Sequence, residues 1–150
     1  MLFRPISYLL TVYAALLSLF PGVSAMITGI SGDGHYAKVG YNYPITFYTQ
    51  SCKSPVPFSD YTVILGWSWI FNPSSPGGVG TFGYSTVDLI SLQQVNTRAG
   101  TFTVSVPLPA AVFVINTTYT FDLTAAVTSL TGPANTPSVR LFTSQIVIEP

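Results

Sequence analysis

Tyr119-Thr120-Phe121-Asp122-Leu123-Thr124-Ala125-Ala126-Val127-Thr128 decides the class of this fold. Tyr119, Phe121, Leu123, Ala125 and Val127 fall on one side of an extended chain. Thr120, Asp122, Thr124, Ala126 and Thr128 fall on the other. A period of two is the signature of a strand with one apolar face and one wet, Thr-rich face. Working outward, Phe102, Val104 and Val106 alternate with Thr101, Thr103 and Ser105 in the same way. Tyr61, Val63, Leu65, Trp67 and Trp69 form a third apolar face, and Ile45, Phe47 and Thr49 a shorter one. Val139 to Ile148 is β-branched and aromatic. There Phe142, Ile146 and Ile148 are expected inward and Arg140 outward, with a bulge near Thr143 to reconcile the phase. Met26 to Ile30 reads as a short opening strand, and Ser85 to Leu92 as another.

Turn-forming residues separate these runs: Gly32-Asp33-Gly34, Pro55 and Pro57, the cluster from Asn72-Pro73 to Gly77-Gly78, Gly100, Pro107 and Pro109, and Gly132-Pro133. About seven short strands at such spacing predict an all-β fold, a small antiparallel β-sandwich of immunoglobulin-like architecture. It has no internal disulfide, because Cys52 is the one cysteine of the chain. Cys52 reads either as a partly buried or incidental loop thiol or as half of an intermolecular disulfide.

The first 25 residues do not belong to that fold. Arg4 supplies a positive n-region, Ile6 to Phe20 is uncharged and apolar, and Pro21-Gly22 breaks any helix. Val23-Ser24-Ala25 then offers small residues at both recognition positions of a signal peptidase, predicting cleavage between Ala25 and Met26. The rival reading, a membrane anchor, needs about 20 apolar residues, more than this run provides. Residues 26–150 are therefore expected as one exported, extracellular domain, with no membrane span and as a monomer.

Only 7% of the 150 residues are charged, five basic and five acidic, against about 25% in an ordinary soluble domain. That excludes nucleic acid as a partner, since phosphate binding draws on clustered Lys and Arg. Loss of Arg4 with the signal leaves too little net charge to steer any partner.

The search for chemistry yields little. His35 is the one histidine, so no zinc ligand set exists. Asp33, His35 and Cys52 could be imagined as a nucleophilic triad. The better reading of Asp33 and His35 is a hydrated turn, and nothing marks Cys52 as an activated thiolate. The carboxylates Asp33, Asp60, Asp88, Asp122 and Glu149 are a thin supply for paired-carboxylate hydrolysis; Asp60 precedes a strand and Asp122 faces outward. Gly77-Gly78-Val79-Gly80-Thr81-Phe82-Gly83 lacks the Lys and helix of a phosphate loop and reads as a flexible connection. No catalytic residue, cofactor or metal is expected. Asn116-Thr117-Thr118 is the one valid N-glycosylation sequon. Trp67 reads as core. Trp69 and Phe71, running toward the Pro and Gly cluster, could protrude at one end of the sandwich as an interaction surface.

The chain also resembles the necrosis-inducing secreted protein family of fungal effectors. Ile27-Thr28-Gly29-Ile30 stands just after the signal, as in that family. Asp60-Tyr61-Thr62-Val63-Ile64-Leu65-Gly66 is similar to its Gly-terminated strand, and Pro76-Gly77-Gly78-Val79-Gly80 to its Pro-Gly-x-x-Gly segment. Ser129-Leu130-Thr131-Gly132, Pro137-Ser138 and the strand to Ile148 follow in the same order. The resemblance implies an effector that a plant-colonising fungus delivers into its host. Such a protein would bind receptor-associated immune kinases, suppress pattern-triggered immunity and in some cases induce cell death, and no catalytic residue is carried over. A secreted wall- or carbohydrate-associated β-sandwich, with exposed Tyr and Trp stacking on sugars, is the alternative.

Overall fold

In a computed structural model the described residues are all-β. The structure describes residues 24–32, 34, 36–52, 58–72, 77–89 and 100–150. The strands are β1 (Ser24–Gly32), β2 (Ala37–Lys38), β3 (Asn42–Cys52), β4 (Phe58–Trp69), β5 (Phe82–Asp88), β6 (Thr101–Pro107), β7 (Tyr119–Thr131) and β8 (Thr136–Glu149). They form a three-stranded sheet, β1-β3-β6, and a five-stranded sheet, β2-β8-β7-β4-β5.

The alternation read from sequence produces the core. Phe121, Leu123, Ala125 and Val127 on β7, Val63, Leu65 and Trp67 on β4, and Ile45 and Phe47 on β3 are all buried. Phe47 stacks on Phe102 of β6 with ring centroids 4.9 Å apart. Each buried Val, Leu, Ile or Phe among them stabilises the fold by about 1.5–3 kcal/mol relative to exposure.

Four sequence expectations change. The eighth strand is β2, two residues that pair in parallel with β8 through Ala37↔Ile148 and Lys38↔Glu149. A two-residue strand carries no periodicity to read. The strand expected over Ser85–Leu92 begins earlier, at Phe82, and ends at Asp88; residues 90–92 lie outside the described residues. The outer face of β7 is drier than a Thr-rich surface suggests, since Thr124 and Ala126 are buried. Ala126 sits in register between the larger Ile64 and Leu141, which overhang it, and the Thr124 hydroxyl lies 3.3 Å from that of Thr143.

The fourth change concerns Arg140. The β7–β8 register runs unbroken from Tyr119↔Ile148 to Thr131↔Thr136, so no bulge occurs at Thr143. Without one, Arg140 shares the inner face with Phe142, Ile146 and Ile148. It is accommodated there by Asp60, which lies within β4 rather than before a strand. The β4–β7 register slips between Asp60 and Thr62, making Tyr61 an extra residue. That slip turns Asp60 onto the inner face, opposite Ser129.

Candidate functional site

One end of the sandwich is built from aromatic rings. Trp67 is buried at 1% exposure, and its ring meets Phe113 edge-on at 5.4 Å. Trp69 is half-buried and packs against Phe82, Tyr119 and Phe121 at 5.8, 5.5 and 4.6 Å. Phe113 closes the group by meeting Phe82 and Phe121 at 5.5 and 5.6 Å. Edge-to-face arrangements of this kind add about 0.5–1.5 kcal/mol per pair beyond area burial, so the end is a rigid base.

Two apolar side chains close in sequence to that base are strongly exposed. Phe71, two residues beyond Trp69, is 84% exposed. Its turn is closed by Asn72 N–H donating to the Trp69 carbonyl at 2.9 Å. Val114, next to Phe113, is 81% exposed. The loop beneath it is held by the amides of Val112 and Phe113, which both donate to the Pro109 carbonyl at 2.9 and 3.1 Å. Of the two aromatics expected to protrude, Phe71 is the exposed one and Trp69 is packed among Phe82, Tyr119 and Phe121. Asn116 lies in an exposed bend two residues after Val114, so a glycan there would flank this surface.

The Gly-rich segment is tightly held over its described part, 77–83. A Cβ on Gly80 would come within 2.7 Å of the Gly66 carbonyl carbon, and one on Gly66 within 2.5 Å of the Val79 oxygen. The two backbones touch, and Thr81 N–H donates to the Trp67 carbonyl at 2.9 Å. The expected flexible connection is therefore a strap clamped onto β4, possible because both positions lack a side chain.

At the other end, the Asp60 carboxylate accepts the Ile27 amide N–H at 2.7 Å. Arg140 donates from Nη2 to Asp60 and from Nη1 to the Ile27 carbonyl. Burial pushes the Asp60 carboxyl above its ordinary 3.8, against the lowering effects of the Ile27 amide and Arg140. Sequence reasoning did not foresee this cluster. The signal available was two opposite charges placed within strands of a chain that is only 7% charged.

Asp33 and His35 lie outside the described residues, as does the side chain of Cys52, whose backbone ends β3. Ala25 and Met26 fall within β1, paired with Ser51 and Gln50. Among the described residues no three His, Cys, Asp or Glu side chains gather to hold a metal ion, and no helix is long and apolar enough to cross a membrane. Asp88 is exposed, and Asp122 and Glu149 are half-exposed.

The segments that carried the family resemblance meet one another in space. Ile27 binds Asp60, Gly66 abuts Gly80, and the Ser129 and Ser138 hydroxyls lie 2.7 Å apart. These residues hold the sandwich together. A comparison with curated proteins finds no match. The model of the Nis1 family, however, matches residues 23–147, which takes in all of these contacts. The chain belongs to the Nis1 family, a family of fungal effectors.

Proposed function

We propose that this effector is secreted by a signal cut between Ala25 and Met26, and that it suppresses plant pattern-triggered immunity by binding receptor-associated immune kinases. It works by surface contact rather than by catalysis. Family membership over residues 23–147 supports the effector role. The observation that carries the contact mode is Phe71, exposed at 84% in the turn that follows Trp69. An aromatic side chain presented on a hydrogen-bonded turn is suited to anchoring an interface, because the backbone that carries it has little freedom left to lose on binding. Glycosylation at Asn116 would sit at the rim of that anchor.

The test is a pull-down from plant extract with folded protein as bait, alongside a Phe71→Ala bait. Recovery of a receptor-associated kinase by the native bait and its depletion with the variant is the expected result. No kinase recovered by folded bait overturns the reading.

A further inference from the structure

A cleft of about 110 Å3 opens at the seam between β5, the edge strand of the five-stranded sheet, and the end of β6, the edge strand of the three-stranded one. Trp67 and Phe113, both buried, line it. Gly83 keeps it open: a Cβ there would come within 3.1 Å of Val112 Cγ1 and 3.2 Å of Trp67 Cδ1. The volume is well below the ~300 Å3 of pockets that take whole small molecules. It is also below the ~150 Å3 of a dry cavity that admits benzene. The cleft therefore suits one aliphatic side chain of the size of Val or Leu.

The strand beside the cleft has an open edge. Leu89 N–H donates to the Tyr61 carbonyl at 3.1 Å, so these two form a hydrogen-bonded pair that continues the β4–β5 ladder. Counting in twos along the register, Val87 and Ser85 also turn their N–H and C=O toward β4, and Thr86 turns its own outward. Thr86 is exposed, and its outward groups meet no partner among the described residues. Across the cleft, Pro107 and Pro109 have no N–H to offer, so β5 is the edge that can accept a further strand. Ser85 lines the cleft and lies opposite Leu65, a core residue. A residue facing Ser85 on an added strand would therefore point into the cleft.

We propose that β5 binds an extended peptide segment of a protein partner as an added strand, with one Val- or Leu-sized side chain seated between Gly83 and Val112. Main-chain hydrogen bonds at Thr86 supply affinity, and the cleft selects the residue that enters it. The site uses neither Phe71 nor any property of a kinase, so it stands or falls apart from the function proposed above.

The experiment is titration of isotope-labelled protein with acetylated, amidated heptapeptides, read by amide chemical shifts. Each peptide carries Lys at both ends, Thr between, and Val, Leu or Asp at the centre. The Val and Leu peptides should give saturable shifts centred on residues 83–86 and 112–113, and the Asp peptide none. N-methylation of the backbone amides flanking the centre leaves the peptide side chains and the protein unaltered. It should weaken binding of the Leu peptide about tenfold or more, the loss of main-chain pairing. Val112→Asp, at a position 40% exposed, should weaken it similarly, while Phe71→Ala should bind as the native protein does. Absence of saturable shifts with both aliphatic peptides, shifts centred elsewhere, or equal binding of the Asp or N-methylated peptide would each overturn the proposal. So would shifts at residues 83–86 that grow with protein concentration alone, which would make a second copy the occupant.

Discussion

Arg140 on β8 and Asp60 on β4 form an ion pair on the inner face of one sheet, and the same guanidinium also holds the carbonyl of Ile27 on β1. β4 and β8 belong to the five-stranded sheet and β1 to the three-stranded one. A single side chain therefore joins both layers at this end of the sandwich. The Asp60 side chain is wholly buried, and that of Arg140 is 25% exposed.

Breaking this pair from one side should be costly. Arg140→Met leaves a buried carboxylate with one donor, Ile27 N–H, and should lower the unfolding free energy by about 3–5 kcal/mol. The double variant Asp60→Leu/Arg140→Met should recover much of that loss, because no buried charge remains. Chemical denaturation of the three proteins checks both statements.

The pH dependence follows from burial. Asp60 has a folded-state pKa above its ordinary 3.8, so the folded protein holds that proton at a pH where the unfolded chain has released it. The stability Asp60 contributes is thus fully present below the unfolded value and is lost as pH rises through the folded one. Relative to Asp60→Asn, the native protein should gain stability on acidification from neutral pH toward 3.8. A relative loss would mean that the ionic contact outweighs burial.

The clamp between the Gly-rich strap and β4 should tolerate no methyl group. Gly66→Ala places a Cβ 2.5 Å from the Val79 oxygen, and the obstacle is backbone rather than a flexible side chain. A loss of about 1–3 kcal/mol is expected, the usual cost of overpacking. Gly77→Ala is a poor control because its φ is +83°. Gly100→Ala is a better one, with its nearest neighbour at 4.0 Å. Denaturant midpoints of the two variants should differ accordingly.

At the aromatic end, stability and recognition should separate. Trp69→Ala removes the support from Phe82, Tyr119 and Phe121 and should cost about 3 kcal/mol. Phe71→Ala changes a residue that is 84% exposed and should alter stability by less than about 0.5 kcal/mol. Thermal unfolding distinguishes them before any binding is measured.

Much of this architecture was legible in the sequence. The strict alternation over Tyr119–Thr128 fixes which side of β7 faces the core, and Trp67 reads correctly as core. Arg140 did not, because alternation assigns a face only when the register is known. A charged residue among apolar ones invites a bulge at Thr143 as the explanation. The slip lies instead at Tyr61, on another strand, and it depends on a partner 80 residues away. The close approach of Gly32, Tyr43 and Ile146 was invisible for the same reason: they become neighbours only when β1 and β8 close the seam. Phe71 could be picked out, since it follows an apolar strand and precedes a turn cluster.

The account turns on contact through an exposed aromatic anchor, and calorimetric titration of the folded protein against the cytosolic domain of a receptor-associated immune kinase tests it most directly. Stoichiometric binding is predicted, weakened about thirtyfold or more in Phe71→Ala, as for an interface residue worth 2 kcal/mol, with the unfolding curve unchanged. No binding by the native protein, or equal affinity for Phe71→Ala, would contradict it.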